Sequence, residues 1–356
     1  MKQVDWRNSR ILCYSDDSAG YKLRRDDSQL HRGGVSVPAG ANAARLPSRV
    51  DLALVTPCAE PPVGDGWLHE IKHDGHRLVA ILNGRGALRL VSHNGFDRTG
   101  RFRAPFDAIL GRIRHELVID GEIAVPDDCG VTHIDALHES IVRGQPERLA
   151  FFAFDLVHFD GHDLRRCQIE DRKAWLEDVL GGAAQGGRVV YGDHLIGRGA
   201  ELFARAREIG AEGIVSKRLG SEYRAGRSPD WLKTKVSEIR EFVISGFVEF
   251  AGGRLDAIGI AEMSEPGALV PRGLVKFGLA GKGLWGALDM IRDGPATRSG
   301  FVPVKSLLIA TIRYFGRYKS SGAIRDGVLI GTPRLLDDQG PHLRGGNGRP
   351  VRGLHR

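Results

Sequence analysis

Apolar and polar residues alternate through Trp67-Leu68-His69-Glu70, which predicts a half-buried strand over residues 67–72. Asp74-Gly75 predicts a tight turn, and strands follow over 77–83 and 87–92. Helical spacing then predicts a helix over 103–114, with Pro105 in its first turn. The run from Glu116 to Val125 reads as a strand interrupted by Asp120-Gly121-Glu122, and residues 149–159 as another, closed by a turn at Asp160-Gly161. Strict alternation would point Phe152, Phe154 and Leu156 one way and Phe151, Ala153 and Asp155 the other, with core packing the ordinary role of the phenylalanines. Amphipathic helices are predicted over 168–180 and 198–209, and strands over 210–218 and 231–236. Beyond Val236 the texture changes. Short strands at 240–250, 254–262, 270–279 and 304–315, with one helix over 281–291, predict a small closed barrel of the OB type.

A length of 356 residues implies more than one domain, and a hydrophobic content of 42% supports ordinary cores. Residues 1–48 lack periodicity and read as a poorly ordered extension. Residues 49–64 are kept extended by Pro57, Pro61 and Pro62, and the Gly/Arg/Pro-rich stretch 333–356 reads as a disordered basic tail. The chain thus divides into 1–48, a first domain over 49–237, a second over 238–332, and the tail. No run of 18 apolar residues occurs and Met1 to Arg10 has no apolar h-region, so the expectation is no membrane span and a cytoplasmic location. Cys13, Cys58, Cys129 and Cys167 are widely spaced, which argues against structural zinc or a disulfide framework. The net charge of +7 is weak support for a nucleic-acid partner.

The chemistry gathers around Glu70-Ile71-Lys72-His73-Asp74-Gly75-His76-Arg77. Lys72 lies at a strand end, and a lysine whose pKa is lowered by nearby cations or a metal can act as a nucleophile. The alternative is a surface hairpin with scattered charges. Asp120 and Glu122 bracket a glycine in mid-strand, as site residues or as a charged bulge. In Trp231-Leu232-Lys233-Thr234-Lys235 the two lysines share one face, fitting either an anion held between them or a solvated edge strand. Neither a P-loop nor a G-x-G-x-x-G motif after a strand is present.

In order, these pieces resemble the motifs of the covalent nucleotidyltransferases, and within them the ATP-dependent DNA ligases. The K-x-D-G-x-R signature is Lys72, Asp74, Gly75 and Arg77, and the D-G-E strand is Asp120, Gly121 and Glu122. Phe154, Asp155 and Gly161 match the F-D strand, Glu212, Gly213, Val215 and Lys217 the E-G-x-V-x-K strand, and Trp231, Leu232, Lys233 and Lys235 the W-L-K-x-K strand. His-Glu-Ile-Lys and Trp-Leu-Lys-Thr-Lys look most like the ligase module of bacterial end-joining ligases, from about residue 50 to 330.

The resemblance implies an α+β adenylation domain of antiparallel sheets with flanking helices, followed by an OB-fold barrel. It implies ATP and magnesium or manganese as cofactors, and nicked double-stranded DNA as substrate for repair or recombination. Lys72 would become adenylylated, Glu70 would lie beside adenine, and Arg77 would touch ribose or phosphate. Glu122 and Glu212 would bind ribose or hold the metal, Phe154 would stack on the base, and Lys233 and Lys235 would neutralise the α-phosphate. His93 and Lys217 complete the expected ATP-binding set. At Ser92-His93-Asn94-Gly95 a histidine stands where these ligases have arginine, and Ile324-Arg325-Asp326-Gly327 matches the family's last basic motif only in part, with Arg313 and Lys319 as alternative cations. With no polymerase or phosphoesterase module and no helical domain before Trp67, the expectation is a minimal two-domain, monomeric ligase aided by an end-binding repair protein. The rival readings are an RNA ligase or capping-type nucleotidyltransferase, or a decayed non-catalytic nucleic-acid-binding protein.

Overall fold

The computed structural model describes residues 37–336 except 184–187, 251–253, 265–267, 281–282 and 306–307. Two compact units divide the chain between Val236 and Ser237. Among the described residues no helix is long and apolar enough to cross a membrane.

The first unit opens with β1 (Asn42–Ala43), β2 (Ala53–Pro57), β3 (Trp67–Ile71), β4 (His76–Asn83) and β5 (Leu88–Ser92). A single-turn helix, α1 (Thr99–Phe102), precedes β6 (Glu116–Ala124), α2 (Ile134–Val142), β7 (Ala150–Phe159) and β8 (His162–Asp163). Then come α3 (Ile169–Ala183), β9 (Val189–Tyr191), β10 (Leu195–Ile196), α4 (Gly199–Ile209), β11 (Gly213–Arg218) and β12 (Gly226–Lys235). They form two sheets. One runs β1-β8-β7-β6-β4-β5 with β9 added beside β7; the other runs β10-β3-β11-β12-β2. Most pairings are antiparallel, and β2 on β12 and β9 on β7 are parallel.

Period-two alternation sorts each strand into two faces. The outer face of the larger sheet carries Leu78, Ala80 and Leu82 of β4 and Leu117, Ile119 and Ile123 of β6, closed by Leu137 of α2 and by Leu176 and Leu180 of α3. Its inner face carries Val79, Ile81 and Val118, which pack against Leu68 and Trp231 of the smaller sheet. The outer face of that sheet is closed by α4, where Leu202, Phe203 and Ala206 meet Ile214. The two sheets therefore face each other over an apolar cluster. Along the same inner faces the residues change to charge: Glu70 beyond Leu68, Arg77 before Val79, Asp120 and Glu122 beyond Val118, Lys233 and Lys235 beyond Trp231.

Several elements differ from expectation. Residues 72–75 do not turn a hairpin, because β3 and β4 belong to different sheets. The 103–114 stretch is a 3-10 turn, Ala104–Phe106, followed by further turns. Phe106, Ile109 and Ile113 are buried at helical spacing, but Pro105 lacks an N–H and Gly111 weakens helix continuation. In β7 the strict alternation fails. Ala153 pairs with Gly121 and Asp155 with Asp120, so Phe154 is an extra residue in the ladder. Leu156 is thereby moved onto the face of Phe151 and Ala153, in the outer core. Residues 37–48, read as extension, are built in: β1 pairs with β8, and Leu46 packs against the inner cluster. Residues 1–36 and 337–356 lie outside the described residues.

The second unit contains β13 (Glu238–Phe250), β14 (Arg254–Ser264), β15 (Ala268–Val275), α5 (Leu284–Met290), β16 (Phe301–Pro303), β17 (Leu308–Tyr314), β18 (Val328–Leu329) and β19 (Arg334–Leu335). The predicted 281–291 helix is thus shorter, beginning after Gly283, which adopts a left-handed conformation. The sheet path is β15-β14-β13-β17-β18, with β16 on β13 and β19 on β17, around Phe242, Phe247, Ile258 and Val302. No continuous ladder closes this path, so the expected closed barrel is replaced by an open sheet. One isolated bridge, Phe277 to Val328, links the segments at its two ends.

Candidate active site

Lys72 stands where the chain leaves one sheet for the other. Its backbone N–H is held by Gly213 O at 2.9 Å. The crossing is then pinned by Asp74, whose N–H donates to Thr132 Oγ1 at 2.9 Å and whose Oδ2 accepts from Ile134 N at 3.1 Å. Gly75 is required by close approach: a Cβ there would lie 2.2 Å from Ile123 O of β6. Gly121 follows the same logic, since a Cβ would meet the Phe151 ring at 2.3 Å. With Gly121 turned to the core, Asp120 and Glu122 both face inward, which gives the two mid-strand acids a structural sense.

Lys72 Nζ pairs with Glu212 Oε2, and Lys235 Nζ lies 3.0 Å from Glu212 Oε1. Glu212 is nearly buried while both lysines keep about a fifth of their side-chain surface. Lys233 is close enough to Lys235 and Lys72 that these charges add to burial in lowering its pKa. Glu122 makes no side-chain hydrogen bond or ion pair among the described residues. Burial, aided by Glu212 and Asp120 and opposed by Lys72 and Arg77, pushes its carboxyl up to about 8.

Glu70 lies two residues before Lys72 on the same strand face. It is buried, with Oε1 2.6 Å from Lys173 Nζ and Oε2 2.8 Å from Lys217 Nζ. Burial would raise its pKa, but the two ammonium groups prevail and hold it below the ordinary value. Lys217 also donates to Phe154 O at 2.9 Å and sits over the Phe154 and Trp231 rings, while burial lowers its own pKa. Arg77 forms a two-pronged pair with Asp120 at 2.9 and 2.5 Å, and Tyr223 Oη donates to the same carboxylate at 2.6 Å. His73 stacks on Phe152 with ring centroids 3.8 Å apart, and burial lowers its pKa to about 4, leaving it neutral at pH 7.

Two linked groups emerge: Lys72, Glu212 and Lys235 with Lys233 and Glu122 nearby, and Glu70, Lys217 and Phe154 with Arg77 5.5 Å from the Phe154 ring. His93 is the expected site residue left apart. It is exposed on the turn after β5 and touches neither group among the described residues. Lys173, Asp120 and Tyr223 were missed. The signal for Lys173 was its place beside Arg172 on the apolar stripe of α3, at +3 and +4 from Ile169 and ahead of Leu176. Arg172 and Asp155 form a fully buried pair at 2.7 Å that anchors this part of α3 to β7.

Two facing sheets with a paired lysine at their polar end define the class, a nucleotidyltransferase of the ligase type. The model of the ATP-dependent DNA ligase domain matches residues 59–235, and the chain belongs to that family. It is 35% identical over 280 residues to the multifunctional non-homologous end joining DNA repair protein LigD of Mycobacterium tuberculosis, covering 74% of this chain and 36% of that protein. The corresponding LigD of Pseudomonas aeruginosa is 35% identical over 209 residues, 59% of this chain and 24% of that protein. The chain therefore spans well under half the length of these relatives. The structure of a mycobacterial DNA ligase D complexed with ATP and MES is 29% identical, with a TM-score of 0.51, covering 82% of this chain and 97% of that one.

Proposed function

We propose that this chain seals nicks in double-stranded DNA through a lysyl-AMP intermediate, as part of end-joining repair in the bacterial cytoplasm. The observation that carries the reading is the Lys72–Glu212–Lys235 cluster beside Lys233 and Glu122. Lys72 Nζ attacks the α-phosphorus of ATP and pyrophosphate leaves. Glu212 Oε2, which accepts from Lys72 Nζ, is placed to receive its proton, and neighbouring cations favour the neutral amine. Lys233 and Lys235 offset charge that develops on the phosphoryl oxygens. The 5′-phosphate of the nick then displaces Lys72 from AMP, and the 3′-hydroxyl displaces AMP to form the phosphodiester. Phe154 and Glu70 take the base, and Arg77 orients the ribose.

Glu122 and Glu212 fit a divalent cation. Glu122 has no partner among the described residues and holds its proton up to about 8, the behaviour of a carboxyl that gains from a nearby cation. Magnesium or manganese, when bound there, would screen the phosphate oxygens, and a site using one or two carboxylates plus substrate phosphate is ordinary for magnesium. The second unit is read as an OB-type module over 238–332, supported by its strand path, α5 and the Phe277–Val328 bridge. It would grip the duplex backbone, so binding weakens with salt.

The test is incubation with α-labelled ATP and a divalent cation, then denaturing electrophoresis. Label is expected on the protein, transferred to DNA when a nicked duplex is added, and absent in a folded Lys72→Ala variant. Labelled Lys72→Ala, or wild-type protein unlabelled even after pyrophosphate stripping, would sink the proposal. Nicked RNA sealed in preference to nicked DNA would move it to the RNA-ligase reading.

A further inference from the structure

The surroundings of Glu70 hold more positive than negative charge. One carboxylate, 5% exposed, serves two lysines, Lys173 and Lys217, each 1% exposed. Asp155, next in line, is already matched by Arg172. Lys173 makes three contacts: Glu70 Oε1 at 2.6 Å, the carbonyl of Gly192, and the Tyr191 ring at 4.4 Å. A buried ammonium in excess of its counter-ions is costly unless further acceptors complete its shell. The local chain does not supply a second carboxylate among the described residues, so the cluster is poised for an incoming acceptor.

Adenine presents an acceptor at N1 beside donors on its 6-amino group, whereas guanine presents N1–H beside an acceptor at O6. A carboxylate oxygen next to an ammonium group is complementary to the first pattern and opposed to the second. We infer that Lys173 is a positioning residue that fixes Glu70 and, with it, makes this wall select adenine over guanine nucleotides. The inference rests on the nucleotidyl-transfer reading above and adds the source of base choice. Lys217 alone would hold Glu70 by one oxygen and leave the other free to turn. A site built to hydrogen-bond a group rejects an analogue that lacks it far more strongly than an apolar pocket does. Both oxygens being held is therefore what makes discrimination possible.

The experiment compares covalent labelling by α-labelled ATP and GTP in wild-type protein, Lys173→Met and Lys173→Gln, each checked for folding by circular dichroism and thermal melting. Wild-type labelling by ATP tests the functional reading itself. Given that, Lys173→Met is expected to raise the KM for ATP at least tenfold while changing the saturated labelling rate much less. It should also shrink the ATP:GTP preference at least tenfold. Lys173→Gln, which keeps a donor, should recover part of that preference. An unchanged preference in a folded variant overturns the inference while leaving the functional reading intact. So does failure of both variants to fold, which would assign Lys173 to the core, and so does a loss confined to the saturated rate.

Discussion

Gly75→Ala is expected to slow lysyl-AMP formation on the order of a hundredfold. The added Cβ would lie 2.2 Å from Ile123 O and 3.0 Å from Ala124 Cβ, so a separation of about 1 Å must open between the crossing and β6. β6 cannot easily yield, because it is paired along its length with β4 on one side and β7 on the other. The mobile partner is the four-residue crossing that carries Lys72. Its displacement moves Nζ relative to Glu212 and Lys235, and a misplacement of about 1 Å costs about 10²-fold in rate. Overpacking of this kind also costs about 1–3 kcal/mol of stability, which a two-unit protein of this size should survive. The assay is single-turnover incorporation of α-labelled ATP, run at a temperature where both proteins keep their circular dichroism spectrum. A folded Gly75→Ala variant labelling within twofold of wild type would refute the claim that this glycine sets the position of the nucleophile.

Further outcomes follow from single residues. Glu122 binds its proton up to about 8 when folded but near 4.5 when unfolded. Between those values the folded state carries the extra proton, so this group's contribution to stability falls as pH rises. In metal-free protein, the stability of wild type relative to Glu122→Gln should drop by on the order of 4 kcal/mol from pH 5 to pH 8. Urea titrations that run parallel for the two proteins across that range would contradict it. His93→Arg should leave Lys72 labelling unchanged, because His93 lies apart from the Lys72 cluster, and should raise nick sealing about fivefold through a stronger phosphate contact worth about 1 kcal/mol. A sealing rate that is unchanged or lower, measured on pre-adenylylated protein, would count against that role.

Local pattern carried much of this molecule. Alternation around Trp67, the Asp-Gly-Glu strand, and Lys233 and Lys235 on one face of β12 were all legible, because a period of two decides which side chains share a face before any partner strand is known. The order of motifs also pointed to Lys72 as the residue around which the rest assembles. Long-range events were not legible. One extra residue at Phe154 moved Leu156 to the other face, and only pairing with β6 reveals such a bulge. The step of Lys72 from one sheet to the other looked like a hairpin, since a glycine turn reads the same whether the next strand pairs back or leaves. Lys173 looked like one more charge on an amphipathic helix. Its burial against Glu70, 103 residues away in the chain, depends on how α3 lies across two sheets. Charges are placed in a core only when a partner from elsewhere arrives to satisfy them, and that partner is a property of the packed structure.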